Sequence, residues 1–378
     1  MPRLFGREYS ARELDVRIGR PGQVGGVQML TLDDGRARGV RAFDVSSGSG
    51  LRFTALADRA LDVCALEFRG IPLVWHGPGG VAAPSFTQSG GKAFAENFFG
   101  GLFTTCGLAN FGQAGVDTYG EFGMHGRINH LPAENLASQT LWAGDSCTYE
   151  IAGTISEAQM FGEDLTLERV LRVELGSNRL AVHDIVSNKG GTRRPHMILY
   201  HCNMGFPLLD LNAELYVSHR SLRPRDARAK DGMKDWNRGG EPDPSFAEQV
   251  YVHDLVTCAD GYARAMMVNQ SLDDGRGVAL SVRFDPTQLP AFFTWRMLGV
   301  RTYVMGIEPA NCQTVEGRVE AGKAGTLPFL EPGESRSYDL SFEVFGGRSE
   351  IERALRLFDR DTSSALISDT PGAGGRST

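Results

Sequence analysis

The chain has little cysteine or histidine to work with. Six cysteines lie far apart in 378 residues, with no CxxC pair. That excludes a zinc ribbon or a dense disulfide framework and leaves reduced thiols serving as small core residues. Histidines number eight. His125 and His130 are five apart, as are His196 and His201. An odd separation along a strand sends side chains to opposite faces, so neither pair is a natural two-ligand metal site. HxH and HExxH are missing too, and no metal or other cofactor is expected. No apolar run reaches the roughly 18 residues of a membrane span. The richest stretches, 196–211 and 291–307, are broken by His, Asn, Asp or Arg. The N-terminus, "MPRLFGREYSARELDVRIG", lacks the apolar centre of a signal peptide. A cytoplasmic protein without membrane partners is expected. An excess of positive charge is also missing: the net charge of −7 argues against nucleic-acid binding. There is no GxSxG elbow and no Walker loop, and "GPGGVAAP" (77–84) lacks the helix a phosphate cradle needs.

What is present is strand. "SCTYEIAGTI", "LTLERVLRVEL", "RLAVHDIVSN", "GVALSVRF" and "SYDLSFEVF" alternate or run apolar over strand-like lengths. Turn chemistry separates them, as in "ELGSNR", "SNKGGT" and "LEPGES". Forty-seven glycines suit many tight turns. Two stretches read as helix. One is "SEIERALRLFDR", with Ile351, Ala354, Leu355 and Phe358 on one face and Ser349 as N-cap; the other is "KAFAENFF". The basic run 219–236 reads as a solvated loop, with a lid or a phosphate contact as the alternative. With no βαβα order and no internal repeat, the expectation is all-β: one large sandwich over residues 1–362, then a disordered tail over 363–378.

Two apolar strands carry a titratable residue where the pattern stops. In "TYVMGIEPANC" (302–312), Tyr303, Met305 and Ile307 alternate until Glu308, and Pro309 removes the N–H that a continuing strand would use. This predicts a strand ending on a clamped carboxylate. In "HMILYHCNMGFPLLD", Met197, Leu199 and His201 share one face, and Asn203 follows before the chain turns away. A third polar knot, "GEFGMHGRINHLPAE", sets His125 and Arg127 among glycines that allow close backbone approach.

Taken in order, "MHGRINHLPA", "LYHCNMGFPLLD" and "YVMGIEPANC" resemble the aldose 1-epimerase (galactose mutarotase-like) superfamily, in an uncharacterised bacterial branch. "FTALADRALDVCALEFRGIPLVW" and "GLFTTCGLAN" are similar to that branch as well. The resemblance spans roughly residues 20–345. It implies a β-supersandwich that binds a small-molecule sugar in a shallow cleft, without a cofactor. It also implies Glu308 as catalytic base, His201 as catalytic acid and His125 as a substrate-binding histidine. Glu248 falls where relatives place an acid on the sugar hydroxyls, more often Asp. Arg127 follows the "HG" sooner than the arginine of sugar-phosphate epimerases does. Arg59 and Asn203 recur in the branch and are taken as substrate-binding, as is Trp295; for a non-catalytic binding protein Trp295 and Trp236 would supply an aromatic platform.

That constellation suits anomer interconversion. A proton leaves the O1 hydroxyl and another reaches the ring O5, and both oxygens are bonded to C1. A carboxylate base and an imidazolium acid bracket neutral pH, so the rate should rise through a carboxylate pKa and fall through an imidazole pKa. A lyase or isomerase of modified sugars on the same scaffold is the first alternative, and a non-catalytic carbohydrate-binding protein the second.

Overall fold

Apolar residues at every second position account for most of the ordered chain. Strand Ser146–Ala158 shows the rule, with Cys147, Tyr149, Ile151 and Ile155 turned inward and exposed or half-exposed residues between them. Each such aliphatic side chain contributes about 1.5–3 kcal/mol when fully buried. The computed structural model describes residues 1–87, 92–356 and 358. It arranges them as an all-β sandwich of antiparallel sheets, as the composition implied.

An eight-stranded sheet runs in the order Glu134–Ala143, Ser146–Ala158, Asp164–Glu174, Arg179–Asn188, Ser335–Gly346, Val278–Phe284, Ala263–Asn269, Ala213–Val217. Against it packs a six-stranded sheet in the order His219–Pro224, Gln249–Leu255, Ala291–Gly299, Thr302–Ala310, Leu199–Gly205, Thr104–Cys106. A five-stranded N-terminal sheet, from Gly26–Thr31 to Ile71–Pro72, extends the assembly. The main core lies between the sheets and takes Tyr200, Cys202, Met204, Met305 and Ile307 from one face of the six-stranded sheet. The opposite face is covered too, by a second apolar cluster that includes Leu199, Phe293, Ala310, Phe94 and Phe111. This second covering leaves strand Leu199–Gly205 buried at every position.

A polar network ties this sheet to its neighbour. Arg169, fully buried, donates to Asp184 from Nε (2.9 Å) and Nη2 (2.6 Å), and to Asp62 from Nη1 (2.7 Å). Tyr200 Oη donates to Asp184 at 2.6 Å, and Thr105 Oγ1 to Asp62 at 2.6 Å. Two buried carboxylates and one guanidinium thus fix the strand that carries His201 and its neighbour Thr104–Cys106.

Several local expectations need correction. Pro309 does not end its strand, which runs to Ala310 and pairs Pro309 with Phe292. Its missing N–H falls on the side of Leu199–Gly205, where the pairing passes from Leu199–Ala310 to Cys202–Ile307 and skips the residues between. Strand Leu199–Gly205 likewise continues past Asn203. Segment 219–236 is not a loop but strand His219–Pro224, helix Ala227–Asp231 and a 3₁₀ turn, Met233–Asp235. Helix Ala93–Asn97 was expected; Ala11–Asp15 and Arg318–Ala324 were not. Helices of five to seven residues make fewer than two turns, too few for a 3.6-residue period to register. Residues 348–356 are helical, so Ser349 sits inside the first turn rather than capping it. Ile351 and Phe358 are buried there as the period predicted. The proposed tail, 363–378, lies outside the described residues. Among the described residues no helix is long and apolar enough to cross a membrane.

Candidate active site

Strand register alone brings the candidate acid and base together. Leu199 pairs with Ala310 and Cys202 with Ile307, which places His201 opposite Glu308 on neighbouring strands. Glu308 also pairs with Phe293, and His201 with Thr104. The adjacent row on the same face reads Val250, Trp295, Gly306, Asn203. The two rows form the floor of the site.

On that floor His201 Nε2 and Glu308 Oε1 stand 3.2 Å apart, the residues 5% and 4% exposed. Among the described residues Glu308 Oε1 and His201 Nδ1 have no hydrogen-bond partner although both are buried, the His201 Nε2–Glu308 Oε1 contact being out of line for a hydrogen bond. Leaving such atoms unmet normally costs stability, and polar groups kept this way are candidates for meeting a ligand. Gly306 makes the geometry possible. A Cβ there would lie 2.5 Å from Glu308 Oε1, 3.1 Å from Trp295 Cβ and 3.3 Å from His201 Cε1.

Burial reverses the protonation order expected from sequence. It pushes the Glu308 carboxyl up to about 8, helped by the Glu248 charge and opposed by Arg225. It pushes His201 down to about 3, with His125 adding to the effect. Desolvation is the largest effect on each group. Burial thus favours a carboxylic acid beside a neutral imidazole in the free pair, the proton residing on Glu308.

His125 enters from a turn. Its backbone is left-handed (φ 56°), an uncommon conformation for a residue with a side chain. A Cβ on the next residue, Gly126, would strike the Gly107 and Asn110 carbonyls, so the turn lies flat against the 107–110 backbone. Gly107 N–H donates to His125 O (3.0 Å), while Arg127 N–H donates to Gly107 O (3.1 Å). Glu157, buried behind this turn, accepts from Leu108 N–H at 2.9 Å. His125 Nδ1 accepts from Gly112 N–H at 3.4 Å, which leaves the ring proton on Nε2. Its ring lies 4.5 Å from Phe94 and 5.9 Å from His201, centroid to centroid. Phe98 and Trp295 flank the His201 ring at 4.9 and 5.4 Å.

At the mouth Trp295 Nε1 donates to Glu248 Oε2 at 3.1 Å, and Arg225 Nη2 donates to Glu248 Oε1 at 2.9 Å. Glu308, His201, His125, Trp295 and Glu248 therefore gather in one place. Asn203 lies beneath them, its Nδ2 donating to the His201 carbonyl at 2.6 Å, with Oδ1 buried and unpartnered among the described residues. The remaining candidates do not join. Arg59 is fully buried and donates to the Asn129, Ala82 and Asn97 carbonyls, which makes it a clamp between loops rather than a ligand-facing group. Arg127 turns away to Glu163 at 3.0 Å. Trp236 packs on His219 and His253. The histidine pairs do diverge: His196 bonds Tyr338 Oη and the Leu108 carbonyl, and His130 lies beside Arg59.

Residues 37–344 match the model of a domain family of unknown function, DUF4432. The chain belongs to this family. No curated protein matches it. Among solved structures it is similar to a "putative aldose 1-epimerase" from Klebsiella pneumoniae, at 23% identity and a TM-score of 0.84 over 94% of this chain and 92% of that one. A galactose mutarotase-like protein from Clostridium acetobutylicum is 12% identical, with a TM-score of 0.59 over 86% and 99% of the two chains. Galactose 1-epimerase from Lactobacillus acidophilus is 10% identical, with a TM-score of 0.54 over 85% and 99%. These likenesses show a galactose mutarotase-like sandwich.

Within this DUF4432 chain, sequence reasoning missed Gly306, Arg225 and the phenylalanine wall. A lone glycine in a strand signals close approach of another group, and Gly306 carried that signal two residues before Glu308. Phe94 and Phe98 lay in the expected helix segment, but nothing in their spacing tied them to histidines 31 and 103 residues away.

Proposed function

We propose that the chain is an aldose 1-epimerase-like isomerase that interconverts the anomers of a sugar by acid–base ring opening and closure, without a cofactor. The observation that carries this reading is the buried His201–Glu308 pair, 3.2 Å apart, each residue with an unmet polar atom. Ring opening moves the O1 proton to one member of the pair while the other delivers a proton to O5. The C1–O5 bond breaks and C1=O1 forms. Rotation about C1–C2 turns the aldehyde, and closure from the other face reverses both transfers.

Throughout, the pair holds one proton. Carboxylate with imidazolium becomes acid with neutral imidazole, so no net charge is created in a buried site. The acid–imidazole form favoured by burial is the one that awaits closure. By the same symmetry it can open a ring with the roles exchanged, His201 taking the O1 proton and Glu308 delivering to O5. In this reading His125 Nε2–H and the Glu248 carboxylate hydrogen-bond sugar hydroxyls, and Trp295 and Phe98 stack on the C–H faces of the ring.

Polarimetry or NMR of freshly dissolved aldoses, neutral and phosphorylated, tests the reading. Faster equilibration of at least one sugar is expected, and Glu308→Gln should abolish it while sugar still binds within about tenfold. No acceleration across the panel would overturn it.

A further inference from the structure

The basic segment 219–236, read from sequence as a solvated loop, passes the mouth of the active site at Arg225. Pro224 pairs with Tyr251, and the Arg225 N–H donates to Val250 O at 2.9 Å. This carries the ladder one residue beyond the strand and sets Arg225 in the row of Val250, Trp295 and Gly306. The half-buried guanidinium donates from Nη2 to Glu248 Oε1 (2.9 Å) and from Nε to Asp226 Oδ2 (3.0 Å). Asp226 Oδ1 in turn accepts from Ala229 N–H at 3.0 Å and caps helix Ala227–Asp231. Glu248 is itself exposed and would otherwise rotate freely, yet Arg225 holds one carboxylate oxygen and Trp295 the other. Two donors on different strands fix the plane of that carboxylate.

We infer that Arg225 is a positioning residue of the active site, orienting Glu248 against Trp295 and balancing its charge beside the His201–Glu308 pair. The inference rests on the acid–base reading of that pair. The guanidinium is shared between two carboxylates, so it serves as a brace rather than as an open anion site. Glu308 is faced by His201 from one neighbouring strand, Cys106 from the strand beyond, and Glu248 and Arg225 at the mouth; Cys202 lies behind the sheet on its other face, and His125 faces His201. Burial holds Cys106 and Cys202 as thiols and the histidines neutral. Glu248 and Arg225 are therefore the two charges acting on Glu308, and they act in opposite directions.

Opposite shifts make the test. Arg225→Gln should raise KM about tenfold, the worth of one charge-assisted hydrogen bond at a half-exposed site, with kcat nearly unchanged. It should also move the alkaline limb of the pH profile upward. Glu248→Gln should move the limb downward. Arg225→Lys should weaken binding, because a point charge cannot brace two carboxylates, yet leave the limb in place. A ¹³C-NMR titration of Glu308, labelled at the side-chain carboxyl, reads the same shifts without turnover. If no aldose is turned over but the Glu308 signal moves as stated, the reaction reading fails and the placement of Arg225 stands. If Gln and Lys variants titrate alike, or Glu308 does not respond to Arg225→Gln while circular dichroism shows an intact fold, the inference is overturned.

Discussion

His201→Asn separates the two ways of assigning the proton pair. If the active form holds one proton on the dyad, activity is bounded below by the first proton lost and above by the second. Burial sets those bounds near 3, from His201, and near 8, from Glu308. Wild-type kcat/KM should then be flat across mildly acidic and neutral pH and fall about tenfold by one unit above the upper bound. Asn cannot shuttle a proton, so the variant should lose roughly 10²–10⁴ in rate. Its remaining activity should keep the alkaline limb, which belongs to Glu308, and lose the acid limb. The simple expectation from sequence is the reverse, with the alkaline limb belonging to an imidazolium. Measuring kcat/KM from pH 3.5 to 10 for both proteins, with binding of the sugar followed by isothermal titration calorimetry, decides between them. Loss of the alkaline limb in His201→Asn would refute the argument that desolvation outweighs attraction within the pair.

Glu308→Gln should gain stability over wild type as pH rises. Between the ordinary carboxyl value of 4.5 and about 8, native Glu308 keeps a proton that the unfolded chain has released, so wild-type stability falls with pH in that window. The Gln advantage should grow to a few kcal/mol; a melting-temperature difference equal at pH 4.5 and 8.5 would contradict this. Gly306→Ala should lower kcat about a hundredfold by pushing the Glu308 carboxylate and Trp295 apart from His201, with the fold intact by circular dichroism; unchanged turnover would mean that the carboxylate has room to move. Arg169→Met leaves Asp62 and Asp184 buried without their cation, and should cost about 3–5 kcal/mol in denaturant unfolding. A loss under 1 kcal/mol would show that the carboxylates simply take up protons.

What the sequence disclosed and what it hid divide along one physical line. Alternation is visible wherever a strand has one wet face, so the eight-stranded sheet could be read from patterns such as "SCTYEIAGTI". Strand Leu199–Gly205 is covered on both faces and shows none, which is why His201 and Asn203 looked like a strand end. Glu308 looked like one because a proline followed it, and that inference assumed every N–H in a central strand must be paired. The fold relaxes this condition by skipping the pairing at His201, beside the pair that needs the space. The candidate acid and base could be named from their motifs, but their protonation could not. It depends on how much water the aromatic walls from residues 94, 98 and 295 exclude, and those walls come together only through long-range register. Arg59 and Arg225 make the same point in opposite directions. One was taken for a ligand-binding residue and is spent on backbone carbonyls; the other was hidden in a charge run and sits at the mouth of the site. Charge and residue type are local properties, whereas the partner that determines an arginine's role is set by strand pairing, which is non-local.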